Sequence, residues 1–204
     1  MPLHNAAWQE YLRRHGIRAS IPEIEARMHG KHNDAIVRLF FGEGLTAEQI
    51  TSHGARKEAL FREMMRSRLR ECLVPGVSAF VEQHRAARLG VASNAEPANV
   101  SFVLDGSGLR RHFDAVVDGG QVRSPKPDPE IYFETARRLD SPPAKCVVFE
   151  DSPVGVRAAR QAGMKVVGLT TTSSSLEDCD LMVRDFLDPK LMPWLEQTGN
   201  TPAR

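Results

Sequence analysis

Two adjacent acids, Glu150 and Asp151, stand where the apolar run "CVVF" meets a helical segment. Two further groups have a similar setting: Ser93 and Asn94 follow the β-forming run "GVA", and Lys126 lies in the loop "RSPKPDPE". Ligands of open parallel sheets bind at the carboxyl ends of the strands. Paired carboxylates suit a hard divalent cation, while an amine and a hydroxyl suit a phosphate. Together these residue types predict a site for a metal-bound phosphate.

Each of these residues also has a purely structural interpretation. Asp151 or Ser152 could cap the following helix, with Pro153 in its first turn. Lys126, between two prolines, could be a solvated loop charge, and Asp118 before two glycines could form a turn. The structural alternative stays open for any one residue taken alone. Their combination at successive strand ends is what favours the phosphate site.

Alternating strands and helices must position these groups from about residue 75 onward. Strands are predicted at 90–94, 113–120, 145–151, 165–171 and 181–186, and helices near 76–88, 96–105, 129–139 and 153–162. Alternation at this spacing indicates an α/β fold with a parallel sheet covered on both faces. We therefore predict an α/β core domain over residues 75–204.

Residues 1–74 carry helical signals instead. Four helices are predicted, the third capped by Asn33 or Asp34 and the long fourth opening at Thr46 and interrupted at Gly54. This pattern indicates a small helical bundle that precedes the core domain.

Composition excludes several classes of function. The 204 residues include 27 basic and 26 acidic side chains, so the formal charge of +1 gives no electrostatic case for a nucleic-acid or membrane partner. The first residues lack the basic and apolar regions of a secretory signal. Cys72, Cys146 and Cys179 are widely spaced without a C-x-x-C pair, which indicates reduced thiols and a cytoplasmic location.

Several motifs resemble the haloacid dehalogenase (HAD)-like hydrolase superfamily, in particular its β-phosphoglucomutase-like branch. The segment "FEDSPVGVRAARQAGM" is similar to the metal-binding motif and its helix, "SPKPDPEIY" to the loop of the essential lysine, and "GVASNAE" to the strand of the phosphate-binding serine. Near the start, "HNAAW" resembles the segment after the nucleophile loop. The resemblance covers nearly the whole chain and implies a Rossmann-like core with an N-terminal helical cap domain.

The resemblance implies roles for the residues at the strand ends. Glu150 and Asp151 would bind Mg²⁺, one of them through water. Ser93 and the backbone of Asn94 would hold the phosphate oxygens. Lys126 would neutralise the phosphate and link it to the nucleophile, so Lys126 and Ser93 are the predicted catalytic residues of this chain.

The resemblance also implies roles in the helical part. His4 and Trp8 match a histidine and a tryptophan near the substrate, although a structural role for His4 and simple packing for Trp8 remain open. Lys57, in "ARKEALF", matches a lysine that reaches the substrate. Where the mutase has an arginine for the distal phosphate, this sequence has Asn33, with Lys31, His32 or Arg38 nearby. Loss of a fixed guanidinium favours a phosphatase over a mutase.

Members of the superfamily begin with an apolar strand that ends in Asp-x-Asp-Gly, the first aspartate being the nucleophile and the second the acid and base. Here Met1 already matches a position after that motif, and the single Asp-x-Asp in the sequence is "DCD" at 178–180. We therefore expect Met1 to be an internal methionine. The first, central strand of the sheet would then be missing from this chain, and the chain alone would be unstable because neighbouring strands lack partners.

The predicted function is a Mg²⁺-dependent phosphatase of small phosphorylated metabolites, in particular sugar phosphates, that acts through an aspartyl-phosphate. A β-phosphoglucomutase-type phosphomutase and a non-catalytic phosphate-binding relative are the alternatives. A pure interaction module has only the basic helix "RKEALFREMMRSRLRE" in its favour, and interspersed glutamates and apolar residues make that helix an ordinary amphipathic one. A monomer is predicted.

Overall fold

The structure is a computed structural model that describes residues 2–28, 33–172 and 176–199. Lys31 and His32 lie outside these described residues. The chain divides into two compact units, Met1–Leu69 and Arg70–Arg204. The predicted boundary between the cap domain and the core domain, after residue 74, lies shortly beyond this division. The assignment of the two domains as cap and core stays a prediction. Within the described ranges, no helix combines the length and the apolar character that crossing a membrane requires.

The first unit is helical. Its core is formed by Trp8, Tyr11, Leu12, Ile24, Ile36, Val37, Ile50 and Leu60. The helices are α1 (Pro2–Arg14), α2 (Ile21–Met28), α3 (Asn33–Phe41) and α4 (Ala47–Met65). A capping box opens α4, since the Thr46 side chain accepts a hydrogen bond from the Gln49 backbone and the Gln49 side chain accepts one from the Thr46 backbone. The helical-bundle prediction for this part is therefore confirmed.

Two details of the helix predictions are wrong. Helix α4 runs without a break through Gly54 and ends at Met65, because a single glycine lowers helix propensity without removing a backbone hydrogen bond. Asn33 does not cap α3: it is the first residue of the helix, and its side-chain amide donates a hydrogen bond to Glu58 Oε1 at 2.8 Å.

We expect Gly54→Ala to raise the free energy of unfolding by about 0.5–1 kcal/mol, since alanine is the better helix former. A Cβ at this position would meet only Asn33 Cβ, at 3.9 Å, so no steric cost offsets the gain. Urea denaturation measures the change. Gly16→Ala is the control: Gly16 has a φ of +75°, so the same substitution there is strained and destabilising. A lower unfolding midpoint for both variants would contradict the prediction.

The second unit alternates strands and helices. Its strands are β1 (Gly90–Ala92), β2 (Ala115–Val117), β3 (Val147–Glu150), β4 (Lys165–Leu169) and β5 (Leu181–Val183). Its helices are α5 (Val77–Gln83), α6 (Pro97–Ser107), α7 (Glu130–Arg138), α8 (Pro153–Gln161) and α9 (Leu191–Gln197). Strand β1 pairs with β2, β3 with β4, and β4 with β5, and all three pairings are parallel. The predicted α/β fold with parallel strands is confirmed.

The strand predicted at 113–120 is shorter than expected because its end turns at Asp118. One carboxylate oxygen of Asp118 accepts a hydrogen bond from the Gly120 backbone at 2.9 Å, and the other accepts one from the Gln121 side chain at 2.6 Å. Both carboxylate oxygens therefore accept hydrogen bonds from residues of the turn. The structural interpretation of Asp118 holds, and this residue is not part of the candidate site.

A cavity of about 600 Å³ separates the two parts of the sheet. It is lined by both β1 and β3, together with apolar side chains such as Phe80 and Val81. Within the described ranges, β1 pairs only with β2 and β3 only with β4, so each has one edge without a strand partner. The sheet of this unit is thus split between β1 and β3.

Candidate functional site

The Lys126 loop is tied to the end of β1. The Lys126 backbone N–H donates to Asn94 Oδ1 at 3.0 Å, and the Asn94 amide donates to the Lys126 carbonyl at 3.4 Å. The Lys126 ammonium also donates to the carbonyl of Ala92, the last residue of β1, at 3.1 Å. These bonds bring the end of β1, with Ser93 and Asn94, next to the lysine.

Lys126 forms a buried ion pair with Glu150 across the split in the sheet. The two side chains are only 8% and 9% exposed. The Tyr132 hydroxyl joins the pair: it accepts from the Lys126 ammonium at 3.0 Å and donates to Glu150 Oε1 at 2.6 Å. The ammonium lies 4.7 Å from the centre of the Tyr132 ring. Lysine, tyrosine and glutamate therefore form one closed polar network in a low-dielectric environment.

The second carboxylate oxygen of Glu150, Oε2, accepts a hydrogen bond from the residue that caps helix α8. Ser152 Oγ donates to Glu150 Oε2 at 3.0 Å and accepts from the Gly155 backbone N–H at 3.1 Å, which makes it the N-cap of the helix. Burial raises the pKa of the Glu150 carboxyl, but the Lys126 charge and the hydrogen bonds from Lys126, Tyr132 and Ser152 outweigh it, so its pKa lies below the ordinary value. Glu150 is held as a carboxylate.

Asp151 and Ser93 are less enclosed than Glu150. Asp151 is half-buried, and its Oδ2 accepts a hydrogen bond from Thr172 Oγ1, in the loop after β4, at 2.5 Å. The Ser93 backbone N–H donates to the carbonyl of Val117, and its hydroxyl accepts from the Ala95 backbone N–H at 3.1 Å. Among the described residues the Ser93 hydroxyl donates to no acceptor, so its proton can bond a ligand oxygen.

The donor set fits Mg²⁺, which binds oxygen ligands and commonly takes one or two carboxylates with waters and phosphate oxygens. In the part of the chain that the structure describes, Asp151 Oδ1 has no hydrogen-bond partner, so it is free to bind a cation directly. Both oxygens of Glu150 are already engaged, which suits contact through water. Within the described ranges, no group of three or more His, Cys, Asp or Glu side chains is arranged to hold a metal ion by itself.

The residues predicted in the helical unit form a second network. Lys57 is 1% exposed, and its ammonium donates to Glu58 Oε1 at 2.5 Å and contacts His4 Nδ1 at 3.1 Å. It also lies 5.2 Å from the centre of the Trp8 ring. The Lys57 side chain is therefore buried, and its contacts include His4, Trp8 and Glu58. Trp8, 1% exposed, belongs to the core of the unit.

The single Asp-x-Asp of the sequence, at 178–180, lies in the segment before β5. Asp180 precedes β5, and its Oδ2 accepts a hydrogen bond from the Val166 backbone N–H near the start of β4 at 2.7 Å. It also forms an ion pair with Arg160 at 2.8 Å. Glu150 is the last residue of β3, which runs parallel to β4. Asp180 is therefore engaged by the start of β4 and by Arg160.

Comparison with known proteins agrees with this geometry. Residues 1–163 match the haloacid dehalogenase-like hydrolase family. The chain belongs to this family.

Among relatives of this hydrolase, the fructose-1-phosphate phosphatase YqaB of Escherichia coli (strain K12) is 32% identical over 168 residues, or 81% of this chain and 87% of the relative. A β-phosphoglucomutase of Bacillus subtilis (strain 168) is 30% identical over 156 residues, or 74% and 67% of the two chains. The crystal structure of a Clostridium difficile β-phosphoglucomutase has the same fold, with a TM-score of 0.79 at 21% identity over 97% of this chain and 90% of that one. The predicted family and its enzyme class, phosphatases and phosphomutases, are confirmed.

Sequence reasoning missed two members of the hydrolase's polar network. Tyr132 occupies an apolar-looking position of α7, and nothing in its spacing shows that its hydroxyl meets a charge pair. Ser152 was recognised as a possible helix cap but not as a donor to Glu150. The signal that could have found Tyr132 is chemical: a tyrosine on the buried face of a helix needs a partner for its hydroxyl.

We expect Tyr132→Phe to lower the free energy of unfolding by about 1–3 kcal/mol, because Lys126 and Glu150 each lose a buried hydrogen-bond partner. Urea denaturation measures the loss. Tyr11→Phe removes the same atom from a hydroxyl whose bond, at 2.9 Å, is to the part-buried His53 ring and not to a charge pair, so its expected loss is about 1 kcal/mol or less. An effect of Tyr132→Phe no larger than that of the control would contradict the role of the hydroxyl.

Proposed function

We propose that this hydrolase is a Mg²⁺-dependent phosphatase of small phosphorylated metabolites, in particular sugar phosphates. The observation that carries the proposal is the buried Lys126–Glu150 pair, which joins the carboxyl ends of β1 and β3 and has Asp151 beside it. A cation site and a phosphate-binding lysine within one network suit phosphoryl transfer. The activities of its relatives, hydrolysis of fructose 1-phosphate among them, support the substrate class.

In this proposal the Ser93 hydroxyl and the Asn94 backbone N–H hold phosphate oxygens. The three donors of the Lys126 ammonium are directed to Ala92, Tyr132 and Glu150, so one of them must turn to the phosphate when it binds. The lysine then offsets charge on the transferring group. Mg²⁺, held by Asp151 and through water by Glu150, would act as a Lewis acid on a phosphate oxygen.

The attacking carboxylate, in this proposal, is an aspartate outside the 204-residue sequence, on a strand between β1 and β3. The cavity between these strands and their unpaired edges support that position, and Asp180 is already engaged by the Val166 backbone and Arg160. An aspartate oxygen bonds to phosphorus as the ester P–O bond breaks, and the leaving alkoxide takes a proton from a second acid. Water then cleaves the aspartyl-phosphate and releases phosphate.

A phosphomutase is the second candidate, favoured by the 30% identity to the Bacillus subtilis mutase. A mutase must hold a bisphosphate at both ends. Asn33, at the position of the mutase arginine, already donates its amide to Glu58. This engagement weakens the second candidate and leaves the phosphatase as the better supported function.

Hydrolysis of p-nitrophenyl phosphate and a panel of sugar phosphates tests the proposal. We expect turnover with Mg²⁺, and none with EDTA, from a chain extended at its N-terminus by the codons in frame before Met1; the 204-residue chain itself should bind phosphate without turnover. An inert extended chain would overturn the proposal. Conversion of β-glucose 1-phosphate to glucose 6-phosphate would favour the mutase, and calorimetric binding without turnover in both chains would favour a non-catalytic relative.

The proposal includes a cytoplasmic, monomeric protein. Cys72, Cys146 and Cys179 are all free thiols, as expected in a reducing compartment.

A further inference from the structure

Two histidines of the helical unit meet where α1 ends. His15 follows the last residue of α1, and His53 lies within α4. The centroids of their rings are 5.4 Å apart, and both rings pack against Phe41, at 5.3 Å and 4.1 Å. His15 is exposed and His53 is half-buried, so solvent reaches the pair. Neither histidine has a role in the proposed function.

Tyr11 orients both rings through the same ring atom. Its carbonyl lies 2.9 Å from Nδ1 of His15, and because a carbonyl only accepts, Nδ1 carries the proton and Nε2 keeps a lone pair. The Tyr11 hydroxyl lies 2.9 Å from Nδ1 of His53. A hydroxyl can accept as well as donate, so it allows the same tautomer in His53. In the part of the chain that the structure describes, neither Nε2 atom has a hydrogen-bond partner.

Metal-binding histidines commonly have this arrangement. One ring nitrogen binds the ion, while the other ring N–H donates to a group such as a backbone carbonyl, as in His15. Two imidazoles on one tetrahedral ion, with metal–nitrogen distances of about 2.0–2.1 Å, have ring centroids about 5 Å apart. The 5.4 Å between His15 and His53 is close to that separation. The spacing and the hydrogen bonds at Nδ1 therefore agree with one shared ion.

The surroundings of the pair decide which ion suits it and how firmly. Imidazole nitrogens suit zinc, copper and nickel, whereas Mg²⁺ takes oxygen ligands. Over residues 2–28, 33–172 and 176–199 no third His, Cys, Asp or Glu side chain completes a metal-binding group, so water must fill the other positions. The positive charge of Arg56 acts on His53 and opposes a bound cation. We therefore expect an exchangeable ion rather than a closed structural site.

We propose that His15 and His53 form a binding site for a divalent transition-metal ion such as Zn²⁺, with Tyr11 as the residue that orients both ligands. The site is separate from the Mg²⁺ site of the proposed function and does not rest on it. A bound ion would link the end of α1 to α4 and so stabilise the folded helical unit.

Titration of Zn²⁺ into the ¹⁵N-histidine-labelled protein tests the site, with saturating Mg²⁺ present to occupy the carboxylates of the strand ends. Long-range ¹H–¹⁵N spectra at pH 7.5 follow the ring nitrogens, and each histidine is assigned by the loss of its signals in His15→Gln or His53→Gln. Before Zn²⁺ is added, we expect neutral His15 to be protonated on Nδ1. One equivalent of Zn²⁺ should then shift the Nε2 signals of both histidines together.

Calorimetry with Zn²⁺ gives the affinity. We expect binding to be about tenfold weaker in Tyr11→Phe, the low end of the usual effect of losing an orienting hydrogen bond, and weaker still in His15→Gln or His53→Gln. His112→Gln, the same substitution in the other unit, is the matched control and should leave the affinity unchanged. Asp151→Asn should also leave it unchanged, which separates this site from the proposed Mg²⁺ site.

Three results would overturn the proposal: neutral His15 protonated on Nε2, a Zn²⁺-dependent shift confined to one of the two rings, or a Zn²⁺ affinity in His15→Gln equal to that of the wild type. Should a variant fail to fold, the wild-type spectra alone decide, because they report on both rings directly. Failure of the phosphatase assay would leave these results unaffected.

Discussion

Replacing Lys126 by methionine is expected to lower the free energy of unfolding by about 3–5 kcal/mol, the usual effect of breaking a buried ion pair from one side. Glu150, 9% exposed, would lose the charge that compensates it and keep the Tyr132 and Ser152 hydroxyls as donors. In the active protein we also expect turnover to fall by about 10²–10³-fold, since a preorganised charge aimed at the phosphate is lost. Urea denaturation and the phosphatase assay measure the two effects.

A double-mutant cycle separates the ion pair from simple loss of packing. In the Lys126→Met/Glu150→Gln protein the uncompensated charge is gone, so we expect part of the lost stability to return. Lys190→Met, at an exposed position, should change stability by less than about 0.5 kcal/mol. Additive effects of the two substitutions, or a Lys126→Met protein as stable as the wild type, would show that the pair does not hold the strand ends together.

Alanine at Gly155 is expected to destabilise the protein by about 1–3 kcal/mol, although alanine favours helix formation. A Cβ there would lie 2.1 Å from Glu150 Cδ and from its Oε2, so the carboxylate must leave its place between Lys126 and Ser152. The backbone of Gly155 has no positive φ, so the conflict is with the side chain alone. Thermal or urea unfolding measures the loss, and turnover should fall with it.

The same substitution made in a Glu150→Ala protein distinguishes this clash from a general effect of alanine on α8. In a Glu150→Ala protein the carboxylate is absent, so Gly155→Ala should become neutral or stabilising, as expected for Gly54→Ala in α4. An equal loss of stability in both backgrounds would contradict the steric explanation.

The sequence was sufficient to predict the fold class and the edge of the sheet where polar groups meet. The reason is that periodicity and turn residues are local signals, and strand ends of a parallel sheet share one edge. Ser93, Asn94, Lys126 and Glu150 are indeed at or beside those ends. Their catalytic and metal-binding roles stay predictions, since contacts alone do not show chemistry.

Contacts between segments that are distant along the chain could not be predicted from the sequence. The hydroxyl of Tyr132 and the space above Gly155 matter only because Glu150 meets them in three dimensions. The burial of Lys57 depends on contacts with His4 and Trp8 of α1, which lie far from it along the chain. The end of strand β2 was also predicted wrongly. The strand ends early because the Asp118 side chain forms hydrogen bonds within the following turn, and hydrophobic periodicity carries no signal for such bonds.

Paramagnetic relaxation of phosphate most directly tests whether a cation and a phosphate share the strand ends around Lys126. With Mn²⁺ in place of Mg²⁺ and inorganic phosphate as the ligand, the ³¹P relaxation rate should rise well above that of Mn²⁺ and phosphate alone. Asp151→Asn should remove the increase. Phosphate that binds the wild-type protein without enhanced relaxation, or an enhancement that persists in Asp151→Asn, would show that Asp151 does not hold a cation beside a phosphate.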